Sequence, residues 1–289
     1  MEGAADELRG IARRVFGVAL VCGQLRGALL AGSAGRGDAD EWSDVDLILY
    51  VDELPPEGTL EAIREAVGGI EPQAKRGTPG QSAGIEFFRD SALVEVSYLT
   101  VTAVDEKLDQ LLEEFEELDQ PWQKLAIGLL EGLPLHDDGV IGGWRERLRA
   151  FPEPLRRALI ELHWNGLFPL WHYVDNLKAH DAELFRLEML VDCSLRLLGV
   201  LAALNRVYYS RFHLKRVGDL AAQLPLAPHG LATRLDALPR LPPREAADVV
   251  GRLAEETRAL VLAELPDLEL PFRFSPGTRQ RPLGTPPGA

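Results

Sequence analysis

The sequence predicts an α/β domain with a small mixed sheet, followed by an all-α domain built as a helical bundle. Strand and helix patterns alternate over roughly the first hundred residues. A strongly acidic segment at residues 105–119 follows, and residues 120–265 are then rich in Leu and Ala at helical spacing. With 289 residues, of which 46% are hydrophobic, the chain is long enough to bury a core in each of two domains.

The first half contains helix and strand patterns in a definite order. Apolar residues three and four positions apart predict an amphipathic helix over residues 5–22. Short apolar runs rich in Val, Ile, Leu and aromatic residues, bounded by Gly, Asp and Ser, predict strands. The predicted strands cover residues 27–33, 44–51, 84–90 and 91–101, with a helix that begins near residue 57 and ends at Gly68-Gly69.

The predicted domain boundaries follow from changes in composition. Residues 1–108 form the first domain and residues 109–265 the helical domain, which is expected to close a cleft over the first. Residues 266–289 are rich in Pro and Gly without an apolar period, so this tail is expected to be disordered. The helical spacing is clearest in three segments, 155–178, 181–208 and 243–264.

Charge and composition exclude several classes of function. The formal net charge of −14 argues against a nucleic-acid partner, because phosphate backbones are bound by Lys and Arg. The longest apolar stretch near the start, residues 15–22, is far shorter than the ~20 residues of a membrane span. No signal-peptide pattern follows Met1 and there are only two cysteines, so a cytoplasmic protein without a membrane partner is expected.

Two carboxylates open the apolar strand of "SDVDLILYV". Asp44 and Asp46 are two positions apart, so in an extended strand they project to the same side. A buried strand cannot carry paired negative charges without compensation. A divalent cation such as Mg²⁺ compensates them, and it also accepts oxygens from a substrate phosphate.

Two further features fit a site for phosphate chemistry. Gly32-Ser33, about ten residues upstream, allows close backbone approach and offers N–H groups and a hydroxyl to a phosphate. Glu95 interrupts a later apolar strand, and three acids from adjacent strands suit a two-metal site. Glu86 in "GIEFF" is the rival for this third acid, although its neighbours suggest a position near a strand edge.

These residues resemble a known superfamily. The segment "GSAGRGDADEWSDVDLILYV" resembles the signature of the nucleotidyltransferases related to DNA polymerase β, and "ALVEVSYL" resembles the third-acid strand of aminoglycoside adenylyltransferases. The resemblance covers residues 28–100, and the helical second half is similar in layout to those enzymes. The chain also resembles uncharacterised bacterial nucleotidyltransferase-like proteins with an "LNRxYY" segment in their helical domain.

The resemblance implies an enzyme that moves a nucleoside monophosphate, AMP from ATP, to a hydroxyl of a small molecule and releases pyrophosphate. It implies that Gly32 and Ser33 bind phosphate, that Asp44 and Asp46 hold Mg²⁺, and that Glu95 completes the metal site or acts as general base. The acidic charge favours a cationic acceptor, as in antibiotic modification. Arg36 and Ser43 in the connecting loop are weaker candidates for phosphate contacts.

The segment 204–216 has three interpretations. Arg206, Lys215 and Arg216 are expected to bind the triphosphate or the acceptor from the second domain. In the second interpretation, the basic residues of this segment pair with the acidic segment 105–119. In the third, Arg206 and His213 resemble the Arg-His pair of helical ribonuclease domains.

A binding role without catalysis is the rival hypothesis for the whole chain. In this hypothesis the protein is an inactive or regulatory, antitoxin-like partner that retains the nucleotidyltransferase fold. Three acids at the positions of Asp44, Asp46 and Glu95 argue against it, because a fold used only for binding has no physical need for clustered carboxylates.

Three histidines lie close together in sequence, in the helical half of the chain. His163, His172 and His180 are nine and eight positions apart, which does not match the spacing of helical zinc sites. These histidines are therefore expected to be core or surface residues.

Overall fold

The computed structural model describes residues 2–22, 24–75, 77–115, 118, 121–179, 181–281 and 283–284. The chain divides into two compact units, Met1–Phe151 and Pro152–Ala289. The first unit combines helices with a mixed sheet, and helices make up the second. The predicted fold class, α/β plus all-α, is confirmed.

The first unit is built around a six-stranded sheet with the strand order β3-β4-β5-β2-β1-β6. Neighbouring strands are antiparallel except β2 and β5, which run parallel. Its elements are α1 (Glu2–Cys22), β1 (Gly27–Leu30), α2 (Gly32–Arg36), β2 (Val45–Val51), α3 (Thr59–Ala66), β3 (Ile70–Lys75), β4 (Ser82–Arg89), β5 (Ala92–Thr100), α4 (Val101–Asp109), α5 (Pro121–Glu131), β6 (Leu133–Asp137) and α6 (Val140–Ala150).

A large apolar core of this unit lies on one face of the sheet. Alternate residues of β2 and β5, among them Leu47 and Val96, are buried there with the apolar stripe of α1 and Ile63 of α3. Because successive strand residues point to opposite faces, Asp46 and Glu95 project from the other face. Burial of the apolar positions therefore determines which side of the sheet carries the acids.

The structure divides the chain after Phe151, whereas the predicted boundary lies at residues 108/109. The prediction missed β6, which pairs antiparallel with β1 as an edge strand of the sheet. β6 has the sequence "LPLHD", and its Pro134 is tolerated because an edge strand has an unpaired side. Strand structure thus returns after the acidic segment, within the range predicted to be helical.

The acidic segment also belongs to the first unit. It forms α4 and a following π-helical turn, Gln110–Glu114. Arg147 of α6 forms ion pairs with Asp105, Asp109 and Glu113 of this segment. The Trp144 indole N–H donates to Asp105 Oδ1 at 2.8 Å, which further ties α6 to α4.

The second unit consists of helices packed around their own core. The predicted helical segments are confirmed in α7 (Glu153–Asn165), α8 (Leu170–Ala179), α9 (Glu183–Leu204) and α12 (Pro243–Glu264), with the short α10 (Val217–Ala222) and α11 (Leu231–Ala237) between them. Trp171, Leu198 and Val250 are among its buried core residues. In the described ranges, no helix combines the length and the apolar character needed to cross a membrane.

The tail, for which the sequence predicts disorder, makes defined contacts within residues 266–281. Leu268 and Leu270 are buried, and two tryptophans hold the segment by its backbone. The Trp164 indole N–H donates to Pro271 O at 2.9 Å, and that of Trp171 donates to Ser275 O at 3.1 Å. Residues 282 and 285–289 lie outside the described residues.

The histidines predicted to be structural are consistent with that interpretation where they are described. His163 is buried against the backbone of Gly199, where a Cβ would lie 2.5 Å from its ring. His172 stacks on Phe274 of the tail with ring centroids 3.7 Å apart. His180 lies outside the described residues.

The stacked His172 predicts a loss of stability at acidic pH. Burial, and secondarily the charge of Arg273, lower the pKa of His172 in the folded state. A histidine with a lowered folded-state pKa favours folding while neutral, so its contribution is lost as pH falls below its unfolded pKa of about 6.5. We expect the urea midpoint to fall less steeply between pH 7.5 and 5.5 in His172→Gln than in the wild type. Identical slopes would contradict this prediction.

Candidate active site

Three carboxylates lie in a row across neighbouring strands. The parallel register pairs Asp46 of β2 with Glu95 of β5, and the antiparallel register pairs Glu95 with Glu86 of β4. Residues paired across adjacent strands project from the same face of a sheet, and the strands are about 4.8 Å apart. Asp46, Glu95 and Glu86, here named the acidic row, therefore share the face opposite the core. A general base beside the Asp46 carboxylate requires such a shared face.

Asp44 occupies a different position from the acidic row. It immediately precedes β2, which begins at Val45, and it is half-buried. Within the described residues, no group of three His, Cys, Asp or Glu side chains is gathered closely enough to hold a metal ion. The predicted three-ligand set Asp44, Asp46 and Glu95 is thus not assembled in this conformation.

The Gly-Ser and Asp-x-Asp motifs are in direct contact. The Ala31 N–H donates to the Asp46 backbone carbonyl at 2.8 Å, which joins the end of β1 to β2. Gly32 adopts a positive φ of 63°, and a Cβ on it would lie only 2.3 Å from Asp46 Oδ2. A glycine is required here because the Asp46 carboxylate lies against the backbone of the motif. The sequence suggested a close approach at Gly32, but it could not identify Asp46 as the group approached.

Gly35, two positions after Ser33, has a packing role that the sequence analysis missed. Ser33 and Gly35 belong to the short helix α2, and a Cβ on Gly35 would lie 2.1 Å from the Leu30 carbonyl oxygen. The backbone of α2 therefore packs directly against the end of β1. The Arg9 side chain of α1 holds the other side of α2, as a donor to the carbonyls of Ala34 and Gly35.

Arg36, predicted to lie in the connecting loop, is the last residue of α2, whereas Ser43 lies in the loop before β2. Arg36 lies 3.3 Å from Asp38 and 3.6 Å from Glu131 of α5, measured between guanidinium nitrogen and carboxylate oxygen. The Ser43 hydroxyl donates to Asp40 Oδ1 at 2.9 Å and accepts from the Asp40 N–H at 3.0 Å. These contacts give both residues a structural role, and their proposed phosphate contacts stay predictions.

Arg206, Lys215 and His213 of segment 204–216 contact other residues of the second unit. Arg206 forms an ion pair with Glu153 at 2.7 Å. The Lys215 ammonium lies 5.9 Å from the ring centroid of Phe212. His213 Nδ1 lies 3.1 Å from the backbone N of Ser210, in a capping box that begins the turn Arg211–Arg216. The capping role accounts for His213 without a ribonuclease site.

The face of the sheet that carries the acidic row is apolar near the carboxyl end of β2. Tyr50 of β2 packs edge-on against Trp144 with ring centroids 4.9 Å apart. Burial raises the pKa of Tyr50, against a smaller opposing effect of the Arg145 charge. Tyr50 therefore stays protonated at neutral pH, so the carboxylates are the proton acceptors to consider on this face.

The contact between Gly32 and Asp46 predicts a destabilising substitution. We expect Gly32→Ala to lower the free energy of unfolding by about 2 kcal/mol, because a new Cβ clashes with the carboxylate and the left-handed backbone disfavours alanine. Gly58→Ala is the matched control, since Gly58 has a φ of 89° and open space around its Cβ position. Equal losses in urea unfolding for the two variants would show that the carboxylate contact has no effect.

Comparison with known proteins identifies the domain that carries these motifs. Residues 24–136 match the family of the nucleotidyltransferase domain. No protein with a curated description matches the chain significantly. Among solved structures, the chain is similar to a nucleotidyltransferase-like protein from Exiguobacterium sibiricum 255-15, at 10% identity and a TM-score of 0.41, over 88% of this chain and 74% of that chain. Residues 24–136, which include Gly32-Ser33 and the acidic row, are thus similar to the nucleotidyltransferase domain.

Proposed function

We propose that this protein is a Mg²⁺-dependent nucleotidyltransferase that transfers AMP from ATP to a hydroxyl group of a small molecule and releases pyrophosphate. One observation carries the proposal: Asp46 and Glu95 are paired on neighbouring strands, and the Gly32 backbone lies against the Asp46 carboxylate. In this arrangement the proposed phosphate-binding motif lies beside two carboxylates that could serve as oxygen ligands. A nucleotidyltransferase requires both next to the same triphosphate.

The donor chemistry of the site fits magnesium. Mg²⁺ is usually held by one or two carboxylates, with waters and substrate phosphates at its other positions, so a complete three-ligand protein cage is not needed. Asp44 and Asp46 would hold the ion, and Glu95 would lie beside it. The bound ion would neutralise charge that develops on the phosphate oxygens.

The residues of the chain have distinct roles in the proposed transfer. Ser33 holds the triphosphate through its hydroxyl and backbone N–H, which orients the α-phosphorus toward the acceptor. Glu95 takes the proton from the acceptor hydroxyl while the oxygen of that hydroxyl forms a bond to the α-phosphorus. The bond from the α-phosphorus to the bridging oxygen breaks, and pyrophosphate leaves with the electron pair.

The acidic row favours a positively charged acceptor. With the acceptor hydroxyl near Glu95, the neighbouring Glu86 provides a carboxylate for a cationic group such as a protonated amine. The proposed acceptor class is therefore a small polyhydroxylated molecule that carries amino groups.

The basic residues of segment 204–216 are the proposed counter-charges for the triphosphate. Arg206, Lys215 and Arg216 are the proposed residues, and Arg206 also forms an ion pair with Glu153. Charge-assisted hydrogen bonds from such residues would support the leaving pyrophosphate. We expect Lys215→Ala to weaken ATP binding more than the binding of AMP, which lacks the leaving phosphates.

Mass spectrometry of an acceptor panel tests the proposed function. The protein is incubated with ATP, Mg²⁺ and polyhydroxylated small molecules with and without amino groups. We expect one amino-containing acceptor to gain the mass of one AMP group, with release of pyrophosphate. ATP binding without transfer to any acceptor would favour a regulatory binding protein, and the absence of ATP binding would contradict the proposal.

A further inference from the structure

The short helix α2 carries the Gly-Ser motif but leaves part of its backbone unsatisfied. A five-residue helix can pair few of its own carbonyl groups, because each needs an N–H four positions later. The Ser33 carbonyl accepts from the N–H groups of Gly37 and Asp38, at 2.9 and 3.1 Å. Gly37, with a φ of 90°, ends the helix there. The carbonyls of Ala34 and Gly35 point beyond this turn and take their donors from another element.

Arg9 of α1 supplies those donors. Its Nε donates to the Ala34 carbonyl at 2.9 Å, and its Nη2 donates to the Gly35 carbonyl at 3.0 Å. Both acceptor residues are buried in the structure, so loss of the donors would leave carbonyls with little access to water. The guanidinium also fills the space beside Gly37, where a Cβ would lie 2.9 Å from Nη2.

The helix that carries Arg9, α1, is packed into the core of the first unit. Leu8, Ile11 and Ala12 of α1 are buried in the core of the first unit, directly beside Arg9 in sequence. The other side of α2 is fixed to β2, through the Ala31 hydrogen bond and the contact of Gly32 with Asp46. The segment 31–37 is therefore held from two directions, by the carboxylate strand and by α1.

We propose that Arg9 is a positioning residue for nucleotide binding: its forked guanidinium fixes α2 so that Ser33 stays aligned with the Asp46 carboxylate. The inference rests on the proposed function, in which Ser33 holds a triphosphate. Arg9 touches backbone carbonyls and acts only through α2. Planar guanidinium geometry is needed because two N–H groups meet two successive carbonyls.

Conservative substitution separates this role from general stability. Arg9→Lys retains the positive charge but replaces the planar fork with a compact ammonium, and Arg9→Ala removes both. Arg13→Ala is the matched control, since Arg13 is an exposed residue of the same helix. Two quantities are measured for each folded variant: the Kd for a non-hydrolysable ATP analogue with Mg²⁺, and hydrogen–deuterium exchange of the backbone.

We expect Arg9→Lys to raise the Kd about tenfold, since a loss near 1.4 kcal/mol is a tenfold change in affinity. Exchange is expected to rise in residues 31–38 while β2 and β5 stay protected. Arg13→Ala should match the wild type in both measurements. An unchanged Kd or unchanged local exchange in Arg9→Lys would overturn the inference. If the wild type itself binds no nucleotide, the proposed function fails first, and the positioning role fails with it.

Discussion

Replacement of Asp46 with asparagine is expected to abolish nucleotidyl transfer, with a loss of roughly 10³-fold or more in kcat. The amide keeps the size of the carboxylate but removes the charge that would hold Mg²⁺. The fold should survive, because the substitution removes one of two like charges paired across β2 and β5. The measurement is pyrophosphate release with the acceptor identified by mass spectrometry, beside urea unfolding of the same sample. We expect the same loss for Asp44→Asn, the other proposed magnesium ligand.

The matched control removes a carboxylate that has no proposed role. Glu53 is an exposed residue two positions after the end of β2, so Glu53→Gln makes the same charge change near the same strand. We expect its activity to equal that of the wild type. Near-normal transfer by Asp46→Asn would contradict the assignment of Asp46 as a metal ligand.

Replacement of Glu95 with glutamine is expected to reduce kcat by ~10²–10⁴-fold, the usual contribution of a positioned general base. ATP binding should persist, because Ser33 and the Asp pair are unchanged. The two effects are separated by single-turnover kinetics and by a direct measurement of the Kd for ATP. A variant that loses binding as strongly as turnover would indicate that Glu95 is a metal ligand and not the base.

The neighbouring Glu86 is the rival base within the same row. Glu86→Gln keeps Glu95 intact and removes the carboxylate one strand farther from Asp46. We expect it to raise the KM for an amino-containing acceptor while kcat changes by less than about tenfold. If Glu86→Gln lost turnover and Glu95→Gln retained it, Glu86 would be the base.

The sequence was sufficient for the motif-bearing strands because their signals are local. The apolar run after Asp44 and Asp46 predicted β2, and the interrupted run around Glu95 predicted β5. The period of two then fixed which side each acid would face. The pairing of β2 with β5 is parallel and non-local, so the neighbour of Asp46 became known only from the register.

The elements that the sequence analysis missed depend on distant partners. β6 lacks a long apolar run and contains Pro134, and it is a strand because the edge of β1 is available to it. The tail lacks an apolar period, yet Trp164 and Trp171 bind its backbone carbonyls over a hundred residues away in sequence. The spacing of apolar residues indicates only regular helices and strands. It therefore cannot predict the pairing of β6 with β1 or the hydrogen bonds from the tryptophans to the tail.

The site shows the same limit at the level of single residues. Gly32 and Ser33 could be predicted from the sequence because their pattern is local. The requirement for glycine at position 32, however, comes from the Asp46 carboxylate, fourteen positions away. Arg9 lies outside every motif, and its role follows only from the carbonyls that α2 leaves without helical partners. Long side chains that act on backbone groups cannot be identified from residue type alone.

The most direct test of the central claim is a calorimetric titration of the wild type and Asp46→Asn with ATP, in the presence and absence of Mg²⁺. We expect the wild type to bind ATP with Mg²⁺ and to bind it at least about tenfold more weakly without the ion. Asp46→Asn should lose this dependence on the metal. Equal ATP affinity with and without Mg²⁺ in the wild type, or no ATP binding at all, would contradict a metal-dependent nucleotide site at the acidic row.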